Sequence, residues 1–431
     1  MEVHFIMEVF AVLLVLFLVL MFCGVPIAIS LTMSSIIVVF FTGSYSVTAI
    51  IHRMVGNANS YTLLAIPFFI LAARLMNAGT ITKRIFRAAT AVSGFIPGGL
   101  GHANVVASII FSGMSGSAVA DAGGLGRIEI KAMRAEGFDA GFSAAVTAAS
   151  ATIGPIIPPS VPMVVYGMMT EVSVGALFMG GFLPGLLLGF ACMVLIYFMA
   201  LKRKYPRHKF SLKEIVDSIR EAFLSLMTPI IIIGGIWGGI FSPTEAAIAA
   251  VMYAFIISVL VYREFGLSAI IQEIKGTAVD SACILFIICG AAAFSWLIAM
   301  FNITNMISMW IVTLTESKAL ILLCINITFL ILGCFMEALA VMTITIPFLI
   351  PLMHIFAIDP IHLGVVIVLN LMIGLVTPPV GTSLFICAKL AKIPLEAMYK
   401  AMLPFLIPLI TVLFIITYIP EIVLFIPNMM R

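Results

Sequence analysis

The chain predicts an all-α polytopic membrane fold made of two inverted repeats, each with a re-entrant helical hairpin and a broken helix. Three observations carry that prediction. Of its 431 residues, 63% are hydrophobic and only 10% are charged, with a mean hydropathy of +1.26; a soluble chain carries about 25% charged residues. Two stretches, 112–121 and 154–162, interrupt long apolar runs where a helix would otherwise continue. Landmarks of the first half return 220 positions later: Gly113 as Gly333, Asp139 as Asp359, Gly154 as Gly374 and Pro184 as Pro404.

Taken in order, residues 5–23 and 26–42 read as two spans joined by Gly24-Val25-Pro26, within an N-terminal scaffold segment 1–58. Repeat 1 is placed at 59–200. Its first span is 60–77, followed by Lys83, Arg84 and Arg87. Residues 97–126 form hairpin 1, whose interior reads Ser112-Gly-Met-Ser-Gly-Ser-Ala-Val-Ala-Asp121. Gly123-Gly124-Leu125-Gly126 turns the chain into a charged loop, 127–139. Residues 140–170 are apolar but broken by prolines at 155, 158, 159 and 162. Proline has no N–H and clashes with a continuing helix, and it pushes its predecessor toward extended backbone. Such a break persists at membrane depth only where protein or a polar cavity satisfies the freed groups. Residues 175–201 cross again.

The most basic segment follows, with Lys or Arg at 202, 203, 204, 207, 209, 213 and 220, within a connector 201–276. The positive-inside rule makes it cytoplasmic. Ser211 and Glu214 fit a capping box. Ile215, Ile219 and Phe223 line one face, which predicts an amphipathic helix on the membrane surface. Spans at 226–241 and 245–261 flank Ser242-Pro243-Thr244-Glu245, a helix start with Ser as N-cap and Glu at N3.

Repeat 2 is placed at 277–402, with hairpin 2 at 319–349 and a broken helix at 361–391, before a C-terminal scaffold helix in 403–431. Repeat 1 carries Lys83, Arg84, Arg87, Arg127, Lys131 and Arg134 around its Gly/Ser stretch, where 303–307 and 347–354 of repeat 2 carry no Lys or Arg. Conversely, Lys389, Lys392 and Lys400 match Met169, Val172 and Gly180. The charge bias changes sign, so the repeats are expected to be inverted, with about ten crossings and both termini outside.

Composition also narrows function. A net charge of +3 gives no reason to expect a nucleic-acid partner; the surrounding partner is membrane lipid. The seven cysteines form no C-x-x-C pair and read as small buried hydrophobes. The chain has no P-loop, no H-E-x-x-H and no G-x-S-x-G, so ATP hydrolysis and enzymatic catalysis are not expected. Inverted repeats with helix breaks are instead a transporter pattern, in which freed carbonyls and half-helix ends hold ions and substrate. Ser112, Ser115 and Ser117 offer hydroxyls beside the carbonyls freed around Gly154–Pro159, and the Thr377 hydroxyl lies beside those near Gly333 and Gly374. Oxygen ligands suit a hard cation such as sodium. A plain alternative is that the hydroxyls bond back to helix carbonyls. Asp121 and Glu337 sit on the hairpins; an acid at mid-membrane costs about 2.5–3.5 kcal/mol and usually faces a working cavity. Glu337 suits a hydroxylated substrate, while Asp121 serves substrate or braces the hairpin.

At these motifs the chain resembles the large membrane subunit of the tripartite ATP-independent periplasmic (TRAP) transporters. The pieces are Ser115-Gly-Ser-Ala-Val-Ala-Asp121, Gly154-Pro-Ile-Ile-Pro-Pro-Ser160, Pro243-Thr-Glu-Ala-Ala247, Gly333-Cys-Phe-Met-Glu337, Gly374-Leu-Val-Thr-Pro-Pro379, Ala65-Ile-Pro-Phe-Phe69 and Met76-Asn-Ala-Gly79. The resemblance implies an inner-membrane, sodium-driven importer of small organic acids such as sialic acid or C4-dicarboxylates, with no cofactor beyond Na+ as coupling ion. It implies an elevator in which both hairpins move against a scaffold. It also implies two partners on separate chains: a periplasmic substrate-binding protein and a small four-helix membrane subunit. By motif, one sodium falls to Ser112, Ser115, Gly154, Ile157 and Pro159, and another to Gly333, Gly374, Thr377 and Val380. Ser117 and Glu337 face substrate, although the family commonly has Asp at position 337. The alternatives are a stand-alone sodium–carboxylate symporter of related fold, a channel, or an intramembrane enzyme.

Overall fold

The structure, a computed structural model, describes residues 2–43, 45–77 and 80–429, with side chains from Ile6 onward; Ala78 and Gly79 of the Met76-Asn-Ala-Gly79 motif lie outside the described residues. All regular structure among them is helical. Apolar side chains offer the backbone no partners, and within lipid only a helix satisfies its own N–H and C=O groups in a single segment.

Hairpin 1 runs up Gly99–Ser115, turns, and returns as Ala118–Gly123 and Leu125–Ala135. Gly116 makes the turn at φ 60°, and a Cβ there would stand 2.5 Å from the Pro159 carbonyl oxygen. Both backbone and space therefore require glycine. Hairpin 2 runs up Lys318–Phe335 and returns as Ala338–Ile355. The first broken helix is Ala140–Ala151 and Val161–Thr170; the second is Pro360–Gly374 and Thr382–Ala391. Cis peptides at Pro158–Pro159 and Pro378–Pro379 mark the two breaks. Hairpins ending at 135 and 355, and broken helices starting at 140 and 360, keep the same 220-residue offset.

The hairpins open toward opposite ends. Arg134, at the base of hairpin 1, donates from Nη1 to the carbonyl of Ala391, the last residue of the second broken helix, at 3.0 Å. Tyr166, in the last half of the first broken helix, donates from its hydroxyl to the carbonyl of Pro360, where the second one starts, at 2.8 Å. Lys318, at the base of hairpin 2, donates to the Ala357 carbonyl beside that start at 2.8 Å. Each broken helix therefore starts beside its own hairpin's base and ends beside the other's, the inverted arrangement that the charge bias predicts. At the base of hairpin 1, Arg203 Nη1 and the Tyr205 hydroxyl bond Asp139 at 2.7 and 2.5 Å, and His208 pairs with Glu136 at 3.1 Å. By the positive-inside rule the basic connector makes this the end expected in the cytoplasm.

Most buried side chains form one large core around the hairpins and broken helices. A smaller core joins Leu13, Phe17, Leu31 and Val39 of Glu2–Phe22 and Ile27–Thr42 to Phe294, Leu297 and Ile298 of Leu267–Met300. Among the described residues, seven helices are long and apolar enough to cross a membrane, or eight if the pair Val47–Ala58 and Tyr61–Asn77, bent by 57°, counts as one. Both arms of hairpin 2 are among the seven although they turn back at Glu337, and the broken helices are too short in each half. Length alone therefore does not number the crossings.

Several boundaries differ from the sequence expectation. The charged loop 127–139 is helical over Leu125–Ala135, because Leu125, Glu129, Ile130 and Met133 all turn one face inward. Hairpin 1 therefore extends to 135 rather than 126, and hairpin 2 to 355 rather than 349. The surface helix and the span after it are one helix, Leu212–Trp237. Its polar face docks on Ile81–Ser93, where Arg87 pairs with Glu214 at 2.9 Å and with Glu221. Glu214 is consequently drawn away from its own helix start: the Ser211 side chain accepts from the Glu214 N–H, but the reciprocal half of the capping box is absent. The box at Ser242 and Glu245 is complete. The divisions at 200/201, 276/277 and 402/403 fall inside Val174–Arg203, Leu267–Met300 and Leu395–Tyr418, continuous helices that no break interrupts. The last two helices, Leu395–Tyr418 and Pro420–Met429, pack on Val174–Arg203, so the C-terminal segment lies with the large core rather than the small one.

Candidate functional site

Each hairpin tip meets the break of its own repeat, and both meetings expose oxygen atoms with no other partner. At the first, the Ser115 hydroxyl donates to Asp121 Oδ1, and the Ser115 oxygen accepts from the Ser117 N–H at 3.4 Å. The other Asp121 oxygen, Oδ2, has no hydrogen-bond partner among the described residues and abuts Gly154, where any Cβ would strike it. Ser115, Asp121 and Gly154 are thus brought together from the hairpin and the break. Ser112 donates to the Ile109 carbonyl at 2.6 Å, the back-bonding that an isolated helix serine adopts. Its proton is committed while its lone pairs remain open. Among the described residues the carbonyls of Gly154, Ile157 and Pro159 accept no hydrogen bond, an unusual state for buried backbone. The Ile157 side chain itself packs on Gly185 of the long helix Val174–Arg203.

The second meeting is tighter and less polar. Gly374 and Gly333 touch through backbone, with a Cβ on Gly374 reaching the Gly333 carbonyl carbon at 2.6 Å. The Thr377 hydroxyl donates to the Ile373 carbonyl at 2.6 Å, repeating the Ser112 pattern. The Gly381 N–H reaches the Cys334 carbonyl at 3.4 Å and ties the far side of the break to the hairpin. The carbonyls of Gly333 and Val380 accept no hydrogen bond among the described residues, whereas Gly374 accepts from the Thr377 N–H at 3.1 Å. Pro379, the counterpart of Pro159, is already taken by the Tyr399 hydroxyl at 2.6 Å. The two sets are therefore alike in backbone but unequal in charge: only the first has a carboxylate.

Ser117 and Glu337 occupy matching positions, 220 residues apart, and do the same local job. The Ser117 side chain accepts from the Ala120 N–H at 3.4 Å, and Glu337 accepts from the N–H groups of Leu339 and Ala340 at 3.0 and 3.2 Å. Each caps the return arm of its hairpin. Glu337 is exposed at its tip and Ser117 partly so, which leaves both reachable by a solute. Asp121 is 2% exposed. It sits with the first oxygen set rather than beside Ser117 and Glu337.

Sequence reasoning passed over two braces. The Asn104 amide donates to Thr147 at 2.7 Å and Ser150 donates to Asn104 at 2.6 Å, fixing hairpin 1 to its broken helix. In repeat 2, Asn370 donates to Asn326 at 3.0 Å, and Asn326 to Thr417 at 3.0 Å. Ser150 and Asn370 are 220 positions apart, so a paired polar residue inside two apolar runs was the available signal.

A family model described as the DctM component of the tripartite ATP-independent periplasmic transporter matches residues 14–422. The chain belongs to this family. It is 42% identical over 411 residues to the sialic acid TRAP transporter large permease protein SiaM of Vibrio cholerae serotype O1, covering 95% of this chain and 96% of that one. It is 41% identical to the sialic acid TRAP transporter permease protein SiaT of Haemophilus influenzae, over 97% of this chain and 68% of that one. It is 40% identical to the C4-dicarboxylate TRAP transporter large permease protein DctM of Pseudomonas aeruginosa, over 93% and 94%. Among solved structures, the YdaH transporter of Alcanivorax borkumensis shares the fold at a TM-score of 0.64 and 14% identity, over 86% of this chain and 87% of that one. As a TRAP large permease, the chain is a multi-pass inner-membrane transport protein and not an enzyme.

Proposed function

We propose that this TRAP permease drives uptake of a small organic acid with sodium bound at its two hairpin–break junctions. The observation that carries this reading is a pair of oxygen sets related by the 220-residue offset, each with carbonyls that accept no hydrogen bond among the described residues, the first buried and the second partly so. Neutral carbonyls and hydroxyls suit a hard, singly charged cation that must leave again. Ser112, Ser115, Gly154, Ile157 and Pro159, now with Asp121, would hold one ion, and Gly333, Gly374, Thr377 and Val380 the other. The reachable tips, Ser117 and Glu337, would meet the substrate. Sialic acid is the first candidate and C4-dicarboxylates the second, following the relatives SiaM, SiaT and DctM. The separate small core supports an elevator, in which the hairpin body slides against a scaffold; Gly113 of hairpin 1 already rests on Pro229 of Leu212–Trp237 with no room for a Cβ. The words "large permease" in those names support a smaller membrane partner, and the family description supports a periplasmic binding protein.

The test is uptake into proteoliposomes that hold this chain and the small subunit encoded with it, with the binding protein outside and a sodium gradient imposed. Accumulation of sialic acid or a C4-dicarboxylate should require all three. Uptake that ignores sodium, or proceeds without the binding protein, would overturn the reading.

A further inference from the structure

The polar face of Leu212–Trp237 is spent on the protein, and its apolar face is not. Glu214 and Glu221 turn toward Ile81–Ser93 and pair with Arg84 and Arg87, while Ser218, Ala222 and Ser225 are buried. Leu212, Val216, Ile219, Phe223, Ile230 and Trp237 are exposed. Their spacing keeps them on one line of the helix, opposite the buried face. From Leu212 to Trp237 that line runs roughly 38 Å at 1.5 Å per residue, against a hydrocarbon core of about 30 Å. With Trp237 at one membrane interface, where indole rings settle, Leu212 and Val216 stand among the headgroups of the opposite leaflet.

The extended segment that leads into this helix is fastened to the protein on one side only. The His208 N–H donates to the Gly94 carbonyl at 2.8 Å, His208 pairs with Glu136 at 3.1 Å, and the Tyr205 hydroxyl donates to Asp139 at 2.5 Å. Phe210 sets its ring edge-on to Phe95 at 5.3 Å between centroids, yet stays 62% exposed. Lys202, Lys204, Arg207, Lys209, Lys213 and Arg220 project from the same stretch. All six are exposed, and among the described residues none has a side-chain hydrogen bond or ion pair. Of the three acids in 201–223, Glu214 and Glu221 are committed to Arg84 and Arg87, which leaves Asp217 alone to offset six cations. A soluble acidic partner would meet the cations and leave the apolar line in water. A zwitterionic lipid would cover the line and leave the cations without counter-charge. An anionic lipid does both, with its phosphodiester on the cations and its acyl chains on the line.

We propose that this connector and the start of Leu212–Trp237 form a docking surface for anionic phospholipid, with headgroups against Lys204, Arg207, Lys209 and Lys213 and acyl chains along Phe210, Leu212, Val216 and Phe223. Sidedness of the chain needs cations somewhere on this membrane face; this surface selects the lipid beside it. The test places a reporter there, Phe210→Trp, in purified chain reconstituted in bilayers of phosphatidylcholine and phosphatidylglycerol. Overall lipid composition is fixed, and bromine, which quenches indole fluorescence on contact, is carried on one lipid or on the other. The parent chain supplies the background of Trp237, Trp296 and Trp310. Per lipid, brominated phosphatidylglycerol should quench the added indole about fivefold more than brominated phosphatidylcholine, the share of one Lys or Arg near an anionic surface. Added salt should erode that preference. Lys204→Gln, Arg207→Gln, Lys209→Gln and Lys213→Gln combined should bring the two lipids to parity. Lys389→Gln, Lys392→Gln and Lys400→Gln combined, exposed cations outside the surface, should leave the preference intact. Leu212→Trp gives the same readout if Phe210→Trp does not fold. The proposal is overturned by no quenching from either lipid, by equal quenching from both, by a preference that survives the first combined variant, or by one that vanishes in the second.

Discussion

Gly374→Ala separates a packed junction from a loose one. A Cβ on Gly374 would lie 2.6 Å from the carbonyl carbon of Gly333, 2.7 Å from its Cα and 2.8 Å from its oxygen. All three atoms are backbone, so no side-chain rotamer relieves the overlap. Restoring ordinary contact at 3.4 Å requires hairpin and break to part by roughly 0.8 Å. Overpacking of this kind costs about 1–3 kcal/mol, and rigid backbone on both sides puts it near 3. If that strain falls on the ion-bound state, the sodium concentration for half-maximal uptake rises about 100-fold, at about 1.4 kcal/mol per decade. Gly333→Ala is milder: its nearest neighbour would be the Gly374 Cα at 3.3 Å, which predicts a loss below about 1 kcal/mol. Gly234→Ala, with nothing within 4 Å of its Cβ in the interior of Leu212–Trp237, is the control. It should stabilise the helix by about 0.5–1 kcal/mol and leave sodium activation alone. The assay is a sodium titration of uptake for all three variants, with melting temperatures measured on the same preparations. A parental titration and melting temperature for Gly374→Ala, or an equal response from Gly333→Ala, would refute the junction geometry.

Three further outcomes follow from the same structure. Ser115→Ala removes the side-chain donor to Asp121 Oδ1; an unsatisfied buried partner costs about 1–3 kcal/mol, so sodium activation should weaken about 10- to 100-fold, and unchanged sodium dependence in a folded variant would remove Ser115 from the ion set. Ala135→Cys and Ile355→Cys mark the exposed ends of the two hairpins; in a background cleared of native cysteines they should be labelled from the cytoplasm and the periplasm respectively, and labelling of both from one side contradicts the inversion. Two sodium ions with a monocarboxylate move one net positive charge inward, worth about 2.3 kcal/mol per 100 mV; an inside-negative potential should speed that uptake and leave a dicarboxylate indifferent, and equal voltage dependence for both would count against two sodium ions per cycle.

Much of the candidate site was legible in the chain itself. Ser115, Gly154, Gly333, Gly374 and Thr377 stand out because Gly, Ser and Pro are misplaced inside apolar helices, and that misplacement is a one-dimensional signal. The role of Asp121 was not legible. An acid near a hairpin tip serves substrate or the hairpin according to which way the return arm is rotated, and here rotation buries it against Ser115 and Gly154. Glu129 was hidden inside what read as a charged loop, because Arg127, Lys131 and Arg134 around it are exposed while it is not.

The sequence by itself determined the membrane class, the duplication and its inversion. Hydropathy, a fixed offset and a change in charge bias are properties of the chain order, and burial in lipid enforces them everywhere at once. Only the tertiary structure decided partners. Glu214 satisfies Arg87 across 127 residues rather than its own helix start, and the Pro379 carbonyl is taken by Tyr399 while that of Pro159 accepts no hydrogen bond among the described residues. In each case several local partners were energetically equivalent, and the choice fell to whichever distant group the packing of the two repeats brought within reach.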